Sequence, residues 1–534
     1  MEALIVFKFI FLFMYTFNRT SQEKLMKTVQ TTFSLYGLTL SRKLSTSLAK
    51  QLLTVEEDER KSLLTQIVEK VLAQNLNDPH INLQHLKAAI QECIRPDTLR
   101  NTETILNVID AFDIPNIKHD LNKKKFVIET VTPDLYPDAQ HKSAIFKHRF
   151  ELLWYRTLRH ELFSPPKLGE KKENRIELLP IEYLLSESEK KNVCIMGLIT
   201  QLTEGQYYLE DPGDIKSLIV TQNFQDGLIM DASIVIANGD FRDGVLHVEG
   251  IGFPPAEPSS NSRADFGNTN TFGGPHKLSL KFSEKLKAQE ETKRDGMIIF
   301  VSEVWLDDAK VLQKLKVMLE GYSEYPPIAF VLCGHFLSFP ANVTSTQKLK
   351  EGLKNLSDLI VQLPDIKENS KFIFVPAPDD LGSPKILPRT PLPKYLTEDF
   401  TKSVPGAIFA TNPCRIQYCT KEIVVFREDI LTKMCRNTIH FPNKGKIYAK
   451  SIICQSHLTP MSLTIIPVYW KYDHALKLYP TPDLIVAADQ FEAYATTYSN
   501  CHVINPGLFP KNEFSFHVYI PISQLLAAVN QTSV

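Results

Sequence analysis

The stretch MIIFVSEVWLDD, from Met297 to Asp308, indicates the fold of the largest part of the chain. Its first half is an uninterrupted run of apolar residues, mostly β-branched or aromatic, and its second half ends in an acidic turn. Such a run is typical of a parallel strand that is buried on both faces. Because parallel strands carry functional side chains just beyond their carboxyl ends, Glu303 and Trp305 become the first candidate site residues.

The same pattern recurs towards the carboxyl terminus. The apolar runs IAFVL, from Ile328, and FIFV, from Phe372, alternate with helical patterns at residues 311–319 and 349–363. Strands separated by helices of this length predict a layered α/β sheet. We assign residues 296–534 to this domain.

The segment before it, residues 176–255, has a hydrophobic period of two instead. About five short strands, separated by turns rich in glycine and aspartate, predict a small β-barrel of the OB type. Such barrels can stack nucleic-acid bases on exposed aromatic rings, for which the candidates are Tyr207, Tyr208 and Phe241. Since these are few, we expect a structural barrel.

The amino-terminal part, residues 21–117, predicts a small bundle of helices. Thr54 and Glu57 have the spacing of a capping box, which marks the start of a helix. Apolar residues at helical spacing are Leu63, Leu64, Ile67, Val68, Val71 and Leu72 in one helix, Leu83, Leu86, Ala89 and Ile90 in a second, and Ile105, Val108 and Ile109 in a third.

Two segments are predicted to join these domains. Residues 118–175 form a connector that includes the basic run Lys123–Lys125 and a helical piece from about Ala144 to Leu162. Residues 256–295 are rich in Pro, Ser, Asn and Gly, and they predict an interdomain loop.

Residues 1–20 are an atypical apolar start. Residues 4–17 resemble the apolar part of a signal peptide, but Lys8 interrupts the run, and neither a basic stretch before it nor a small-residue cleavage site is present. The run is also shorter than the roughly 20 residues that a membrane-spanning helix needs. We therefore expect no membrane partner.

Size and composition favour an intracellular multidomain protein. At 534 residues the chain is too long for one core, and at roughly 150 residues per domain it predicts about three or four units. The formal net charge of −1 lacks the basic excess of a dedicated nucleic-acid binder, so contact with DNA should be weak or indirect. The eight cysteines are scattered without a CxxC pair, which favours reduced core residues over a zinc site or disulfides.

The loops that follow the strands of the layered domain resemble those of calcineurin-like metallophosphoesterases in order and spacing. Active members hold two metal ions with aspartate, asparagine and histidine side chains, and the chemistry needs nearly all of them. In this chain the matching positions hold Glu303, Trp305, His335, Ser338, Pro378, Asp379, His457, Asp489 and Phe491. Only His457 keeps the residue type of the active family, so the resemblance implies a layered domain that lacks its metal ligands.

Other catalytic schemes have no better support. The chain contains no GxSxG, P-loop or GxGxxG motif, which disfavours acyl transfer, NTP hydrolysis and dinucleotide chemistry. A thiol site built from Cys414, Cys419 and His440 has nothing local in its favour. We expect no catalytic residues, no metal and no cofactor.

A barrel followed by a phosphoesterase domain without ligands resembles the B subunits of eukaryotic replicative DNA polymerases, and specific strings narrow the resemblance to those of polymerase epsilon. The similarity runs from about Ser21 to the end. The strings that carry it include AFDIP (111–115), RHELFSPP (159–166), GLITQLTEGQYYLEDP (197–212), TNPCRIQYCTKEI (411–423) and PVYWKYDHAL (467–476).

The resemblance implies a noncatalytic accessory or scaffold subunit in nuclear DNA replication. Members bind the cysteine-rich, metal-binding carboxyl-terminal domain of the catalytic subunit through their barrel and phosphoesterase domains. Their amino-terminal helical domain, similar to the lid of AAA+ ATPases, links the polymerase to the replicative helicase through the GINS complex. Small histone-fold subunits belong to the same complex, which is located in the nucleus.

Three alternatives remain open at this point. The chain could be a B subunit of polymerase delta or alpha, although TNPCRIQYCTKEI and the amino-terminal bundle argue against both. It could be a metal-dependent phosphodiesterase or 3′ exonuclease with an unusual site that uses Glu303 and His457. It could also bind single-stranded DNA through the barrel, with a steep dependence on salt.

Overall fold

A computed structural model describes most of the chain, and the structure consists of two compact units, Met1–Glu103 and Thr104–Val534. The described residues are 25–52, 57–72, 80–82, 85, 86, 89, 105–120, 125–129, 132, 134–164, 175–203, 205–213, 215–220, 223–340, 342, 344–440 and 447–530. The predicted apolar start and capping-box Thr54 lie outside these ranges, as do Lys123 and Lys124.

The described part of the first unit is mainly helical. Residues 25–35 are helical, and they precede helices α1 (Arg42–Leu52) and α2 (Glu57–Leu72). Their buried apolar faces meet in one core, whose members include Val29, Phe33, Leu48, Leu52, Leu64, Ile67, Val68 and Val71. The second predicted helix lies partly outside the described residues, within which 85, 86 and 89 are helical.

The second unit contains twenty-two strands in its described part. In chain order they are β1 (Leu106–Asp110), β2 (Asn116–Asp120), β3 (Lys125–Glu129), β4 (Leu178–Leu179), β5 (Glu189–Thr203), β6 (Gln206–Glu210), β7 (Ile215–Val220), β8 (Ile229–Met230), β9 (Ile234–Arg242), β10 (Val245–Gly252), β11 (Ile298–Ser302), β12 (Ala329–Cys333), β13 (Lys371–Val375), β14 (Ala407–Phe409), β15 (Cys414–Tyr418), β16 (Lys421–Arg427), β17 (Thr438–His440), β18 (Leu484–Ala488), β19 (Tyr494–Tyr498), β20 (Cys501–Asn505), β21 (Phe516–Ile520) and β22 (Leu525–Val529).

Its helices lie between and around these strands. They are α3 (Gln140–Arg159), α4 (Ser259–Ala264), α5 (Glu284–Thr292), α6 (Ala309–Gly321), α7 (Ser345–Val361), α8 (Pro364–Asn369), α9 (Lys394–Ser403), α10 (Ile430–Asn437) and α11 (Ile447–Cys454). Short 3-10 helices span Ala111–Asp113, Ile181–Ser186, Leu280–Phe282 and Trp470–Leu476. No helix in the described ranges is long and apolar enough to cross a membrane.

Two six-stranded sheets form the layered domain. The first has the order β14-β13-β12-β11-β21-β22, in which β11 to β14 are parallel. The second has the order β1-β15-β16-β18-β20-β19. Apolar side chains such as Phe300 and Val331 from the first sheet pack with Val425 and Val486 from the second in one core. The layered α/β prediction is therefore confirmed, and the strand from Met297 lies at its centre.

The second sheet includes a strand that the sequence analysis assigned wrongly. The pattern of Ile105, Val108 and Ile109 predicts a third amino-terminal helix, but Leu106–Asp110 is β1 and pairs antiparallel with β15. Ile109 is buried in the core of the larger unit, and this long-range packing overrides the local spacing. Residues 104–117 consequently belong to the larger unit and not to the domain predicted over 21–117.

The OB-type barrel is confirmed. Its strands follow the order β4-β5-β6-β7-β10-β9, and pairing between β5 and β9 closes the sheet. Closure removes the free edges that an open sheet of this size would expose. Alternate residues such as Ile195, Val235 and Val248 fill its interior.

The predicted connector is an integral part of the larger unit. The helix expected from Ala144 to Leu162 is present as α3, and β2 and β3 form a hairpin before it. On α3, Arg149 and Arg156 are buried and contact the layered domain, so the segment joins barrel and layered domain through side-chain packing.

The predicted interdomain loop is also held in place. It contains α4 and α5, and its Arg263 forms a buried ion pair with Glu422 on β16. The carbonyls of Thr271 and Phe272 accept hydrogen bonds from Arg415 at 3.3 and 3.1 Å.

Candidate functional site

The carboxyl ends of β11, β12 and β13 meet at one edge of the first sheet, as their parallel pairing requires. The backbone N–H of Glu303 donates to the Cys333 carbonyl at 3.1 Å, and that of Gly334 donates to the Val375 carbonyl at 2.9 Å. The loops that the sequence analysis singled out therefore lie side by side. This edge is the candidate site.

Glu303 is at the centre of the edge. Its side chain is 1% exposed, and its φ of +62° lies in the left-handed region, which non-glycine residues rarely adopt. One carboxylate oxygen, Oε1, is 2.5 Å from Arg427 Nη2 and 2.9 Å from His335 Nδ1. The other, Oε2, accepts a hydrogen bond from the indole N–H of Trp305 at 3.0 Å.

These contacts determine the charge of Glu303. Burial alone would raise the pKa of its carboxyl group, but the His335 hydrogen bond and the Arg427 guanidinium hold that pKa well below its usual range. The carboxylate is therefore ionised and its lone pairs are engaged by protein donors. An indole offers no lone pair to a metal ion, so Trp305 cannot act as a ligand.

Arg427 is the functional residue that the sequence analysis missed. It ends β16 in the second sheet and is fully buried. Its Nε donates to the Gly334 carbonyl at 2.7 Å, and its Nη1 is 2.8 Å from Asp429 Oδ1. A single guanidinium thus neutralises Glu303 and joins the two sheets at this edge.

Asp380 rather than its neighbour Asp379 braces the third loop. The buried Asp380 carboxylate accepts hydrogen bonds from the backbone N–H groups of Phe336 at 2.8 Å and Ala377 at 2.7 Å. Asp379 is exposed, 3.9 Å from His335 Nε2, and 3.6 Å from the amine of Lys385. The role of Asp380 is to fix loop backbone.

His457 has different partners. Its Nδ1 accepts the backbone N–H of Thr459 at 3.1 Å, and its Nε2 is 3.3 Å from Asp473 Oδ1. Arg149 of α3 holds the same Asp473 carboxylate at 2.5 Å. Burial, reinforced by Arg149, lowers the pKa of His457 to about 4, so the imidazole is neutral at pH 7.

The remaining predicted positions have structural contacts. Asp489 accepts the backbone N–H of Leu431 near the start of α10 at 2.8 Å, and burial raises its pKa to about 6. Phe491 is exposed, and its N–H donates to Asp489 at 3.1 Å. Ser338 donates from its hydroxyl to Asp307 at 2.6 Å. Pro378 is half-buried in its loop.

The structure thus brings together Glu303, Trp305 and His335, with Asp379 nearby. The residues present do not fit a pair of metal ions, because the central carboxylate, that of Glu303, is already bound by Arg427, Trp305 and His335. Across the described ranges, no group of three or more His, Cys, Asp or Glu side chains is arranged to hold a metal ion.

The other candidate chemistries find little in the structure. Phe241 is 2% exposed and lies inside the barrel, so it cannot stack on a base, while Tyr207 and Tyr208 are half-buried. Cys414 and Cys419 are buried, and burial raises the pKa of the Cys419 thiol to about 11, which disfavours the thiolate.

A groove lies between the barrel and the layered domain. Its volume is about 770 Å³. Phe224 and Phe253 line it from the barrel side, Leu162 from the end of α3, and Lys450 and Tyr498 from the layered domain. One partner could therefore contact both domains here.

Sequence families match three parts of the chain. The B-subunit family of DNA polymerases alpha and epsilon matches residues 298–496. The OB-fold domain of DNA polymerase epsilon subunit 2-like proteins matches residues 139–255, and the amino-terminal family of DNA polymerases epsilon matches residues 21–93.

Individual relatives match almost the whole chain. DNA polymerase epsilon subunit 2 of Homo sapiens is 43% identical over 512 residues, covering 93% of this chain and 97% of the relative. The protein of the same name from Drosophila melanogaster is 39% identical, covering 94% and 97%. The B subunit of DNA polymerase epsilon from Saccharomyces cerevisiae is 24% identical, covering 73% and 68%. A solved archaeal phosphodiesterase covers 44% of this chain and 98% of its own with 11% identity and a TM-score of 0.24, too low to support an argument.

Proposed function

The chain belongs to the family of second, or B, subunits of DNA polymerase epsilon, and from this premise we propose that it works as a noncatalytic scaffold. It is an accessory subunit of that polymerase and not the catalytic one. The observation that carries the scaffold proposal is the buried contact between Arg427 and Glu303. The guanidinium of Arg427 binds the carboxylate that a metalloenzyme would need to hold its ions. The strands and loops around this ion pair are nevertheless well formed.

The first partner in this proposal is the metal-binding carboxyl-terminal domain of the catalytic subunit. Barrel and layered domain belong to one compact unit, and Gln455 joins them by hydrogen bonds to both backbone groups of Ile234, at 2.9 and 2.6 Å. A single compact unit of this kind suits a partner that touches both domains. The groove lined by Leu162 and Tyr498 is where we place part of that contact.

The second part of the proposal concerns the amino-terminal unit. It is a separate compact unit, and the match to the polymerase epsilon amino-terminal family falls within it. We assign to it the link to the replicative helicase through the GINS complex. The assembly would also contain the small histone-fold subunits and act in the nucleus.

A pull-down tests the scaffold proposal. The immobilised carboxyl-terminal domain of the catalytic subunit should retain the full chain, and Leu162→Asp should weaken retention at least about tenfold by placing a charge in the groove. Tyr325→Asp is the matched control, since Tyr325 is 71% exposed outside the groove and should not matter. Failure of the folded wild-type chain to bind would overturn the proposal.

The alternative is hydrolysis of a phosphodiester with Mn²⁺. Activity that is lost in both Glu303→Gln and His457→Gln would favour it. The scaffold proposal expects no turnover above a buffer control.

A further inference from the structure

A second cavity, of about 380 Å³, lies between the β2–β3 hairpin, α3 and the 3-10 helix Trp470–Leu476. Lys118, Lys471 and Lys477 line it, together with the amides of Gln140 and of Asn116, whose nitrogen also donates to Glu129 at 2.9 Å. The volume falls within the range of small-molecule sites. None of the residues at the Glu303 edge takes part in it.

Two of the three lysines already have acidic partners. Lys118 pairs with Glu129, and the Lys471 amine is 3.2 Å from Asp134 Oδ2. The other acidic residue in the lining, Asp473, is held by Arg149 at 2.5 Å. Every carboxylate near the cavity is therefore matched by a different cation.

Lys477 is the exception. No carboxylate in the described ranges lies within 4 Å of its amine, which donates only to the Ile117 carbonyl, at 3.3 Å. Burial lowers its pKa to about 8, although the more distant charge of Asp473 opposes the shift, so the amine is still mostly charged at pH 7. Charges that lose solvent are normally paired, so an amine beside a cavity with no carboxylate in direct contact suits a bound anion.

The pKa values of two histidines in the lining, His148 and His474, are lowered in part by the positive charges around the cavity. Burial and the charges of Lys118 and Lys477 lower the pKa of His148 to about 4. Burial and Lys477 lower the pKa of His474 to about 4 as well. Both imidazoles are therefore neutral at pH 7, and the net charge of the cavity comes from Lys477.

We propose that this cavity binds the phosphate group of a small molecule, with Lys477 as the main charged contact. A tetrahedral oxyanion accepts hydrogen bonds in several directions, which fits amine and amide donors that reach the cavity from three different elements. A cavity of 380 Å³ admits phosphate or pyrophosphate but not a nucleic-acid helix.

Calorimetric titration of the full chain tests the proposal, with inorganic phosphate and inorganic pyrophosphate as probes at constant ionic strength. We expect saturable binding with one site per chain. Lys477→Met should weaken it at least about tenfold, because a charge-assisted hydrogen bond is lost. Lys477→Gln is measured in parallel and should show the same loss, so the test survives if one variant does not fold.

Lys421→Met is the matched control. Lys421 also lines a cavity, of about 440 Å³, but its amine is 3.2 Å from Glu290 and the three lysines there face three glutamates. Its replacement should leave phosphate binding unchanged. Absence of binding in the wild-type chain, or equal binding in wild type and both Lys477 variants, would contradict the proposal. The proposal would also be contradicted if a 5′-phosphorylated oligonucleotide bound through Lys477 while neither phosphate nor pyrophosphate bound.

Discussion

At the scale of single residues, the candidate site is organised around an internal ion pair. Arg427 and Glu303 are both buried, at 0% and 1% side-chain exposure. A buried ion pair adds little net stability compared with apolar residues, but removing one partner leaves the other charge without compensation. The pair therefore makes each of its members indispensable.

Replacement of Arg427 tests this dependence. Arg427→Met should lower the free energy of unfolding by about 3–5 kcal/mol, since Glu303 would remain buried without its cation. The double variant with Glu303→Gln should recover part of the loss. Arg436→Met, an exposed arginine on α10, is the control and should change stability by less than about 0.5 kcal/mol. Denaturant unfolding is the measurement. If Arg427→Met were as stable as Arg436→Met, the account would be contradicted.

Trp305 provides a second test at this scale. Its ring is half-buried, lies 5.8 Å from the Lys511 amine and donates to Glu303, so Trp305→Ala should cost about 2–3 kcal/mol of stability. Trp305→Phe keeps the ring and loses only the hydrogen bond, at a cost of about 1 kcal/mol. Thermal unfolding measures both. If alanine were tolerated as well as phenylalanine, the ring would have no structural role.

The sequence predicted the sheet edge at which the candidate site lies, but it did not predict that Arg427 supplies a positive charge there. The strand from Met297 and the loops after β12 and β13 were predictable, because a continuous apolar run ending in polar residues is a local signal. Arg427 is 124 residues from Glu303, and nothing near it in sequence distinguishes it from a surface arginine after a strand. Only the pairing of two sheets brings the two residues together.

At the scale of elements, α3 is one of the links that join parts of the larger unit. Arg156 donates to the Ile453 carbonyl at 3.3 Å and to the Ser456 hydroxyl at 2.6 Å, and Arg149 holds Asp473. Removing the helix would leave these buried acceptors without donors.

Truncation tests the contribution of α3. Residues 104–534 should unfold in a single cooperative transition, whereas residues 176–534, which lack β1 to β3 as well as α3, should be insoluble or unfold at a clearly lower temperature. Circular dichroism of the two fragments is the measurement. Equal midpoints would show that the helix is dispensable.

Three histidines predict the pH dependence. Burial lowers the pKa of His148, His457 and His474 from 6.5 to about 4. Between these values the unfolded chain binds more protons than the folded chain, so stability should fall as the pH is lowered from 7 towards 4. Asp489 acts in the opposite direction, because its raised pKa of about 6 favours the folded state at low pH and this contribution is lost as the pH rises through 6.

His119 and His517 also have lowered pKa values, whereas the raised pKa of His335 acts in the same direction as that of Asp489. Since five described histidines have lowered pKa values, we expect a net loss of stability between pH 7 and pH 5. Denaturant unfolding at both values measures it. His457→Gln, which removes one of the groups, should make the loss smaller. The same loss in this variant would show that His457 does not contribute.

The hydrophobic period and the composition of the sequence predicted the barrel and the central strands, but they did not predict β1. Ile105, Val108 and Ile109 have helical spacing, and the strand exists because β15, about 300 residues later, offers it an edge. A five-residue edge strand carries too little local information to reveal a partner so distant in the sequence.

At the scale of the whole molecule, an OB barrel and a layered domain form one compact unit, while a helical unit precedes it. The strands and loops of the layered domain surround a carboxylate that is bound by Arg427 and does not fit metal ions, which is consistent with the proposed use of this domain in binding a partner. The likeness to B subunits of polymerase epsilon was recognisable from the sequence strings, whereas the cavity beside Lys477 depends on side chains from three distant elements.

The most direct test of the scaffold account is light scattering of the full chain co-purified with the carboxyl-terminal domain of the catalytic subunit. The account predicts one species whose mass is the sum of the two chains, and no Mn²⁺-dependent hydrolysis of an activated phosphodiester by that species. Separate elution of the two folded proteins, or hydrolysis that is lost on Glu303→Gln, would contradict it.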